Sequence, residues 1–158
     1  IKLVLRGWDP GGGVEQYDTS YGDVRIRSIP TNIREFGGTR RAGNSMFAFE
    51  IENVCIVHLG HLHHTLTARH LADLGKVDVL LAPVDGTWTM GHEEMVETVE
   101  AIRPAMLVPM HYFGSVVLET FLGKLGRKWP VRYSETNSIL LSKASLPEPP
   151  EVVVLPGR

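Results

Sequence analysis

The feature that most constrains the fold of this chain is an almost continuous apolar run, Val77–Val84. Such a run is typical of a strand that neighbouring elements cover on both faces, as in a parallel sheet. It is followed by a segment of helical periodicity, His92–Ile102, and then by a second predicted buried strand, Ala105–Met110. Because strands come first and strand–helix units follow, the order of elements favours the α/β class.

Local signals predict further elements in the rest of the chain. Alternating apolar and charged residues predict a half-buried strand over Asp23–Ile29 that Pro30 ends. The polar, glycine-rich segment Thr31–Asn44 is predicted to be a loop. The other predicted elements are strands at Ile1–Leu5, Ser45–Glu50, Asn53–Leu59 and Ser138–Ser142, a turn at Glu52-Asn53, and helices at Ala68–Leu74 and Val116–Leu125. We expect Thr67 to cap the first of these helices and Gly75 to end it.

The length of 158 residues fits one domain. We predict that residues 1–145 form this domain and that residues 146–158 are a proline-rich tail. The chain opens directly inside the predicted strand Ile1–Leu5 and lacks a starting methionine, which suggests a start partway through a larger fold. A sheet without its covering layer would expose an apolar face, so association into a homo-oligomer is a second expectation.

Charge and hydropathy argue against two classes of partner. The net charge is −2 and the pI is about 6.4, with no basic stripe, so nucleic acid is not an expected ligand. No apolar run approaches the roughly 18 residues of a membrane span, and the first residues have no signal-peptide layout. The single cysteine, Cys55, lies in an apolar run and is predicted to be a buried core thiol. We therefore expect a cytoplasmic protein that acts on a small molecule.

Histidines and an aspartate follow three of the predicted buried strands. They are His58, His61, His63 and His64 after Val54–Val57, Asp85 after Val77–Val84, and His111 after Ala105–Val108. If the strands run parallel, all three polar clusters meet at one edge of the sheet, where α/β proteins commonly form their sites. Imidazole is a common zinc ligand and zinc accepts carboxylate as well, so the pattern predicts a metal site there.

Each of these residues also has an ordinary structural explanation. His58 and His111 could be packed, hydrogen-bonded histidines, and His63 could be a solvated one. Asp85 could be a metal ligand, a residue that orients a ligand histidine, or a turn residue, the last being the default. The two remaining histidines, His70 and His92, are predicted to lie at the surface. Arg34, Arg40 and Arg41 could bind an anion or belong to a solvated loop.

Four separated segments, in this order, resemble the metallo-β-lactamase superfamily, and more closely its ascorbate-lactonase-like branch of predicted zinc-dependent hydrolases. The segments are Asn44–Phe49, Val54–His64, Val77–Thr89 and Pro104–Tyr112. The resemblance covers about residues 22–114. It implies an αββα sandwich with a metal site at one edge of its two sheets. It also implies one or two metal ions, usually zinc and in some members manganese or iron, which activate water for hydrolysis.

The resemblance also assigns roles to residues. By position, His111 matches the last histidine ligand of the family, and His58 and His64 match histidines that flank the family's bridging aspartate. His61 stands in the place of that aspartate. Asp85 is expected beside the metal as a ligand or orienting residue. Under the hydrolase hypothesis, Arg34 or Arg40 is expected to contact an anionic substrate, and Asn32 is expected beside the metal ligands or the substrate.

Two departures from the family pattern bear on these roles. The main metal-binding motif of the family, His-x-His-x-Asp-His, does not occur in this chain. A further family histidine usually follows the strand that is predicted to end at Pro30, and this chain carries Thr31-Asn32-Ile33-Arg34 there. Because a neutral His61 replaces a bridging anion, a single-metal or altered site is expected rather than a two-metal site.

These departures leave two function hypotheses open. In the first, which we favour, the missing motif lies outside this chain and the parent protein is a metal-dependent hydrolase of a small ester, lactone or phosphoester. In the second, the protein keeps the fold as a non-catalytic binding or assembly module. A third hypothesis, nucleic-acid processing, is disfavoured by the acidic balance of charge.

Overall fold

A computed structural model describes residues 3–157, which form a single mixed β-sheet with helices on one face. The strands within these residues are β1 (Asp18–Tyr21), β2 (Val24–Glu35), β3 (Gly38–Ile51), β4 (Val54–His58), β5 (Val79–Pro83), β6 (Met106–Met110), β7 (Val131–Tyr133) and β8 (Glu151–Val154). The helices are α1 (Ala68–Leu74), α2 (His92–Ile102) and α3 (Ser115–Leu125), and a short 3-10 helix spans Lys143–Ser145.

The sheet changes from antiparallel to parallel at its middle. Its strand order is β1-β2-β3-β4-β5-β6-β8-β7. Strands β1 to β4 form an antiparallel meander, whereas β4, β5, β6, β8 and β7 pair in parallel. Helices α1 and α2 connect the parallel strands β4, β5 and β6, as parallel pairing requires a crossover. The predicted α/β class is therefore confirmed, and the carboxyl ends of β4, β5 and β6 lie at one edge.

The main hydrophobic core lies between the helices and one face of the sheet. Strand residues such as Val57, Leu80 and Leu107 pack there against helix residues such as Val99 and Phe121, and all five are fully buried. Burial of a side chain of this size stabilises the fold by roughly 1.5–3 kcal/mol. The helix predicted over His92–Ile102 is confirmed with the same bounds.

The opposite face of the central strands is covered by the segment that follows β7. Ile139, Leu141 and Leu146 pack against a second cluster of buried strand residues. The same segment is fixed by Lys143, whose Nζ lies 2.7 and 2.8 Å from the two carboxylate oxygens of the buried Asp78. Hence irregular chain, and not a second sheet, covers this face within residues 3–157.

The structure corrects the predicted loop over Thr31–Asn44. Strands β2 and β3 run through this segment and pair up to Glu35 and Gly38. Pro30 does not end β2, because β1 pairs only as far as Arg27 and β2 has a single strand neighbour at Pro30. A proline is tolerated where one edge of a strand is unpaired.

The structure also corrects the predicted ends of the chain. Residues 138–142 form no strand, and Leu3–Leu5 are not in a strand, while residues 1 and 2 lie outside the described part. In the predicted tail over 146–158, Glu151–Val154 forms β8, which inserts between β6 and β7 with Val152 and Val153 fully buried. Strands β1 and β7 were not predicted either.

Several local predictions are confirmed. The β3–β4 turn has Glu52 and Asn53 at φ of +48° and +64°, the left-handed values of a tight hairpin turn. Helix α1 has the predicted bounds, with the Thr67 hydroxyl accepting from the His70 N–H and with Gly75 as its C-cap. Cys55 is buried. In the described part of the chain, no helix has the length and apolar character needed to cross a bilayer.

Candidate functional site

Three loops meet at the carboxyl ends of β4, β5 and β6, as the sequence pattern predicted. The parallel register aligns His58 with Leu81, and Pro83 with Met110. The loops that leave these three strands carry His61, Asp85 and His111 respectively. The site is therefore an edge feature of the parallel half of the sheet, the position where α/β folds place ligand contacts.

The centre of this site is a histidine pair, His61 and His111. Their Nε2 atoms lie 3.0 Å apart, and their rings meet edge to face with centroids 4.7 Å apart. His61 is exposed, while the side chain of His111 is 29% exposed. The two nitrogens are thus within hydrogen-bond distance of each other, on side chains that solvent reaches.

Asp85 lies behind His111, on the side away from His61. Its Oδ1 is 3.4 Å from His111 Nδ1, a buried atom with no hydrogen-bond partner within bonding geometry. The Asp85 side chain is only 1% exposed. A carboxylate in this position favours the His111 tautomer with hydrogen on Nδ1, which leaves the Nε2 lone pair directed toward His61. This is the orienting role that was one of the predicted alternatives for Asp85.

Asp85 also organises the turn that follows β5. Its carboxylate accepts hydrogen bonds from the backbone N–H groups of Thr87, Trp88 and Thr89 and from the Thr89 hydroxyl. Burial alone would raise the pKa of Asp85, but the bonds from the Thr89 side chain and from these N–H groups outweigh burial and lower the pKa to about 2. Asp85 is therefore ionised at neutral pH, and its carboxylate holds the turn that follows β5.

The backbone of His111 adopts a conformation that non-glycine residues seldom take. Its φ is +55°, in the left-handed region, directly after β6 ends at Met110. Such a conformation persists where the surrounding structure fixes it, and it occurs often in functional sites. Here it directs the imidazole of His111 back toward Asp85 and His61.

Asn44 and Gly60 fix the other half of the histidine pair. The buried Asn44 donates from Nδ2 to the Thr31 hydroxyl and to the Leu59 carbonyl, and its Oδ1 accepts from the His61 N–H at 2.8 Å. Gly60 lies between these contacts at a φ of +63°, and a Cβ there would come within 2.2 Å of Asn44 Oδ1. The position of His61 therefore depends on the lack of a side chain at residue 60.

Replacing Gly60 with alanine is expected to destabilise the protein more than the matched change Gly22→Ala. Gly22 has a similar φ of +59° but open space around its missing Cβ. Gly22→Ala should therefore cost only the left-handed penalty of roughly 1–2 kcal/mol. Gly60→Ala adds a contact with a hydrogen-bonded side chain, which we expect to cost roughly 1–3 kcal/mol more. Urea unfolding of both variants measures the difference, and equal losses would show that the Asn44 contact is unimportant.

His58 and His64, the other predicted ligands, are held by the backbone. His58 Nδ1 accepts from the Gly60 N–H at 2.9 Å. Burial, and secondarily the charge of His61, lowers the pKa of His58, so its ring is neutral at neutral pH. His64 Nε2 accepts from the Asn32 N–H at 3.1 Å, and His64 Nδ1 lies 2.9 Å from the Thr65 carbonyl oxygen. Both nitrogens of His64 are thus engaged in this structure, while His58 lines a cavity next to His61.

The predicted polar contacts differ in their distance from the pair. Arg34 donates from Nη1 to the Thr87 carbonyl at 3.2 Å and lines a cavity of about 270 Å³ together with both histidines of the pair. Arg40 instead pairs with Glu35 at 2.9 Å and lies 4.4 Å over the Trp8 ring. The structure thus brings Arg34 to the histidine pair and holds Arg40 elsewhere.

Asn32 acts through local hydrogen bonds. Its side-chain oxygen accepts from the Ala42 N–H at 3.3 Å, across the β2–β3 irregularity.

Neither His70 nor His92, both predicted at the surface, is fully exposed. His70 closes the capping box of α1, and His92 Nε2 lies 3.0 Å from the Val84 carbonyl oxygen.

The donor set fits part of a metal site. A ligand nitrogen lies roughly 2 Å from zinc, so two nitrogens on one ion are themselves about 3 Å apart, as in the histidine pair. His111 also has the oriented second nitrogen that ligand histidines commonly show. Within residues 3–157, however, no group of three or more His, Cys, Asp or Glu side chains converges to hold an ion. The described residues thus bring two candidate ligands together.

Sequence reasoning assigned no function to several residues that shape this site. Asn44 and Gly60 position His61, Thr89 holds Asp85, and Trp88 and Phe113 are exposed aromatic residues at the cavity. A glycine directly after a buried strand was the available signal for Gly60. The others depend on contacts between distant segments, which spacing along the chain does not reveal.

Comparison with known proteins places these observations in a family. A family model described as the beta-lactamase superfamily domain matches residues 3–111, which include the whole histidine pair and Asp85. A metal-dependent hydrolase of Pyrococcus furiosus is 32% identical over 107 residues, covering 63% of this chain and 48% of that protein. Another from Thermoplasma acidophilum is 32% identical over 106 residues, covering 66% and 44%. The chain thus spans about half the length of the curated relatives it matches.

A solved structure supports the same relationship. A predicted Zn-dependent hydrolase of the metallo-β-lactamase superfamily from Thermotoga maritima matches with a TM-score of 0.66 and 29% identity, over 90% of this chain and 69% of that one. The Parabacteroides distasonis match, with a TM-score of 0.54 and 16% identity over 89% and 54% of the two chains, supports the fold alone. The predicted metallo-β-lactamase type of fold is thereby confirmed.

Proposed function

Because the chain belongs to the family described as the beta-lactamase superfamily domain, we propose that it is a metal-dependent hydrolase of a small ester, lactone or phosphoester. The observation that carries the proposal is the histidine pair, whose Nε2 atoms lie 3.0 Å apart. The relatives named as metal-dependent hydrolases support it. Because the chain covers about half of those relatives, the activity belongs to the proposal and not to the family assignment.

His61 and His111 would hold the metal ion, with Asp85 as the orienting residue. A bound ion of this kind supplies activation of water and polarisation of the electrophile. The carboxylate of Asp85 faces His111 Nδ1 and favours a hydrogen on that nitrogen. The lone pair of His111 Nε2 would then be available to bind the ion. Asn44 fixes His61 through its backbone N–H. Both histidines would therefore already be in position when an ion binds.

We propose zinc as the ion, with manganese or iron as alternatives, because the converging donors are two imidazoles. A single ion is favoured, since an imidazole at His61 supplies no negative charge where a two-metal site would need a bridging anion. His58 remains a candidate ligand through its Nε2, and His64 would have to release its backbone contacts to become one. The resemblance to the ascorbate-lactonase-like branch remains part of this proposal.

The other proposed properties concern partners and location. A small molecule is the proposed substrate, with Arg34 as the contact for an anionic group, because Arg34 lines the cavity of the histidine pair. The net charge of −2 disfavours nucleic acid. A cytoplasmic location and a homo-oligomeric state remain proposals from the sequence.

Equilibrium dialysis against zinc, followed by elemental analysis of the protein, tests the proposal. We expect about one zinc ion per chain, together with hydrolysis of p-nitrophenyl acetate, an aryl lactone or p-nitrophenyl phosphate that a chelator removes and zinc restores. Zinc restoration is the control against damage by the chelator. A chain that binds no zinc and hydrolyses none of the three substrates would refute the proposal.

One observation favours a second candidate, a non-catalytic binding module on the same fold. Within residues 3–157, only two imidazoles converge without a third ligand of the usual types. Structural and catalytic zinc sites commonly have at least three protein ligands. Zinc binding without any chelator-sensitive hydrolysis would support this second candidate.

A further inference from the structure

We propose that the cavity beside the histidine pair binds an amphipathic anionic ester, with an apolar acyl or aryl group between Trp88 and Phe113 and an anionic group at Arg34. This inference deepens the proposed hydrolase function and rests on it. It names a substrate class that neither the fold nor the family assignment specifies.

The cavity has an apolar wall and a cationic side. It measures about 270 Å³ and is lined by Ile33, Arg34, His61, Trp88, His111 and Phe113. Ligand pockets of this kind are mostly apolar with a few placed polar groups, and they begin at roughly 300 Å³. The volume therefore suits one small ring or short acyl chain with a single charged group.

The two aromatic side chains are far more exposed than their size would lead one to expect. Trp88 is 73% exposed and Phe113 is 74% exposed, although each lies in a separate loop at the same cavity. Phe113 also contacts His111 edge to face, with centroids 5.3 Å apart. Exposed apolar side chains from two loops that meet at one cleft are typical of a binding surface. A bound apolar group would cover both rings.

Arg34 gives the cavity its charge. Its Nη1 donates to the Thr87 carbonyl at 3.2 Å, a contact that holds the guanidinium beside the loop of Trp88. The remaining N–H donors of a guanidinium can bind a carboxylate or phosphate in a bidentate manner. No carboxylate is among the six lining residues of the described structure, and Asp85 is turned inward and fully engaged. The cavity thus favours an anion.

The position of Arg34 relative to the histidine pair favours a bifunctional ligand. Arg34, the aromatic residues and the pair line the same cavity, so an anion at Arg34 leaves the aromatic wall for the rest of the molecule. A free inorganic anion would use only one side of the cavity. An uncharged ester would leave Arg34 without a partner on the ligand.

Binding of phenylphosphonate to the full chain, after removal of metal with a chelator, tests this inference by phosphorus NMR. Methylphosphonate is the matched anion without a ring, and glucose 6-phosphate is a matched anion with a polar ring. We expect phenylphosphonate to bind at least about fivefold more tightly than either. Trp88→Ala, Phe113→Ala and Arg34→Gln should each weaken its binding roughly three- to tenfold, as expected for aromatic contacts and a solvent-exposed ion pair.

The control variant is Arg127→Gln, an exposed arginine beyond the end of α3, which should leave binding unchanged. Circular dichroism checks that each variant is folded. We expect all four to fold, because the substituted positions are exposed. Absence of phenylphosphonate binding, equal binding of the three anions, or no effect of Trp88→Ala, Phe113→Ala and Arg34→Gln would each overturn the inference. Because these measurements use metal-free protein, their failure is distinct from a failure to bind zinc or to hydrolyse esters.

Discussion

Replacing both His61 and His111 with alanine is expected to abolish stoichiometric zinc binding. Within residues 3–157, these two residues are the only histidines whose ring nitrogens lie within hydrogen-bond distance of each other. Loss of a residue that merely orients a ligand typically costs 10–100-fold in metal affinity, so loss of both ligands should cost at least about 100-fold. Elemental analysis after dialysis against zinc measures the change.

The fold should survive this double replacement, because His61 is exposed and His111 is partly exposed. Circular dichroism and a urea melt check that expectation. His70→Gln is the matched control, since glutamine at this position keeps the capping box of α1 and the ring lies outside the pair. Zinc content that is unchanged in the double variant, or lost equally in His70→Gln, would show that the assignment of ligands to His61 and His111 is wrong.

Replacing Asp85 with alanine is expected to give the largest loss of stability among single changes at the site. Its carboxylate is almost fully buried and accepts from three backbone N–H groups and from the Thr89 hydroxyl. Removing it leaves these donors without a partner, which costs roughly 3–5 kcal/mol in total if part of the turn relaxes toward water. Urea unfolding measures this loss, and Asp23→Ala, in the exposed β1–β2 turn, is the control.

The pH dependence of stability gives an independent test of the contribution of Asp85. The pKa of Asp85 is lowered to about 2 in the folded protein, below the value of roughly 3.9 for an unfolded chain. Its contribution of about 2 kcal/mol is therefore fully present above pH ~4 and is lost as the pH falls through ~2. The Asp85→Ala variant should lack this part of the acid transition. An acid transition of unchanged steepness would contradict the role assigned to Asp85.

Asp85→Asn separates the two roles of this side chain. Asparagine keeps one oxygen to accept from the turn, so the loss of stability should be smaller than for alanine. It removes the negative charge that faces His111 Nδ1, so zinc affinity should still fall roughly 10–100-fold. A variant with full zinc affinity would show that Asp85 serves the turn alone.

Local patterns in the sequence were sufficient to predict several elements. The apolar run at Val77–Val84 and the periodicity of His92–Ile102 predicted β5 and α2, and Thr67 and Gly75 predicted both ends of α1. The Glu52-Asn53 turn followed from its own backbone preference. These predictions hold because the signal for each element lies within the element itself or in the residues that cap it.

The predictions that failed concern pairing between distant segments. Residues 31–44 are polar and glycine-rich, yet they form strands because β2 and β3 hydrogen-bond to each other. The short apolar run at Val152–Val154 was assigned to a tail by its nearby prolines, yet it is buried because β6 and β7 lie on either side of it. Strand propensity depends on such neighbours more than on the strand's own composition.

For the candidate site, too, the sequence predicted one part of the arrangement and the tertiary structure decided the other. The sequence by itself determined that histidines and an aspartate follow buried strands, and that parallel pairing would bring them to one edge. Only the tertiary structure decided which of them meet: His61 lies against His111, 50 positions away, whereas the nitrogens of His64 are taken up by backbone groups. The reason is physical, since the direction of each ring depends on hydrogen bonds from other segments, such as Asn44 to the His61 backbone, and on the backbone angle of His111.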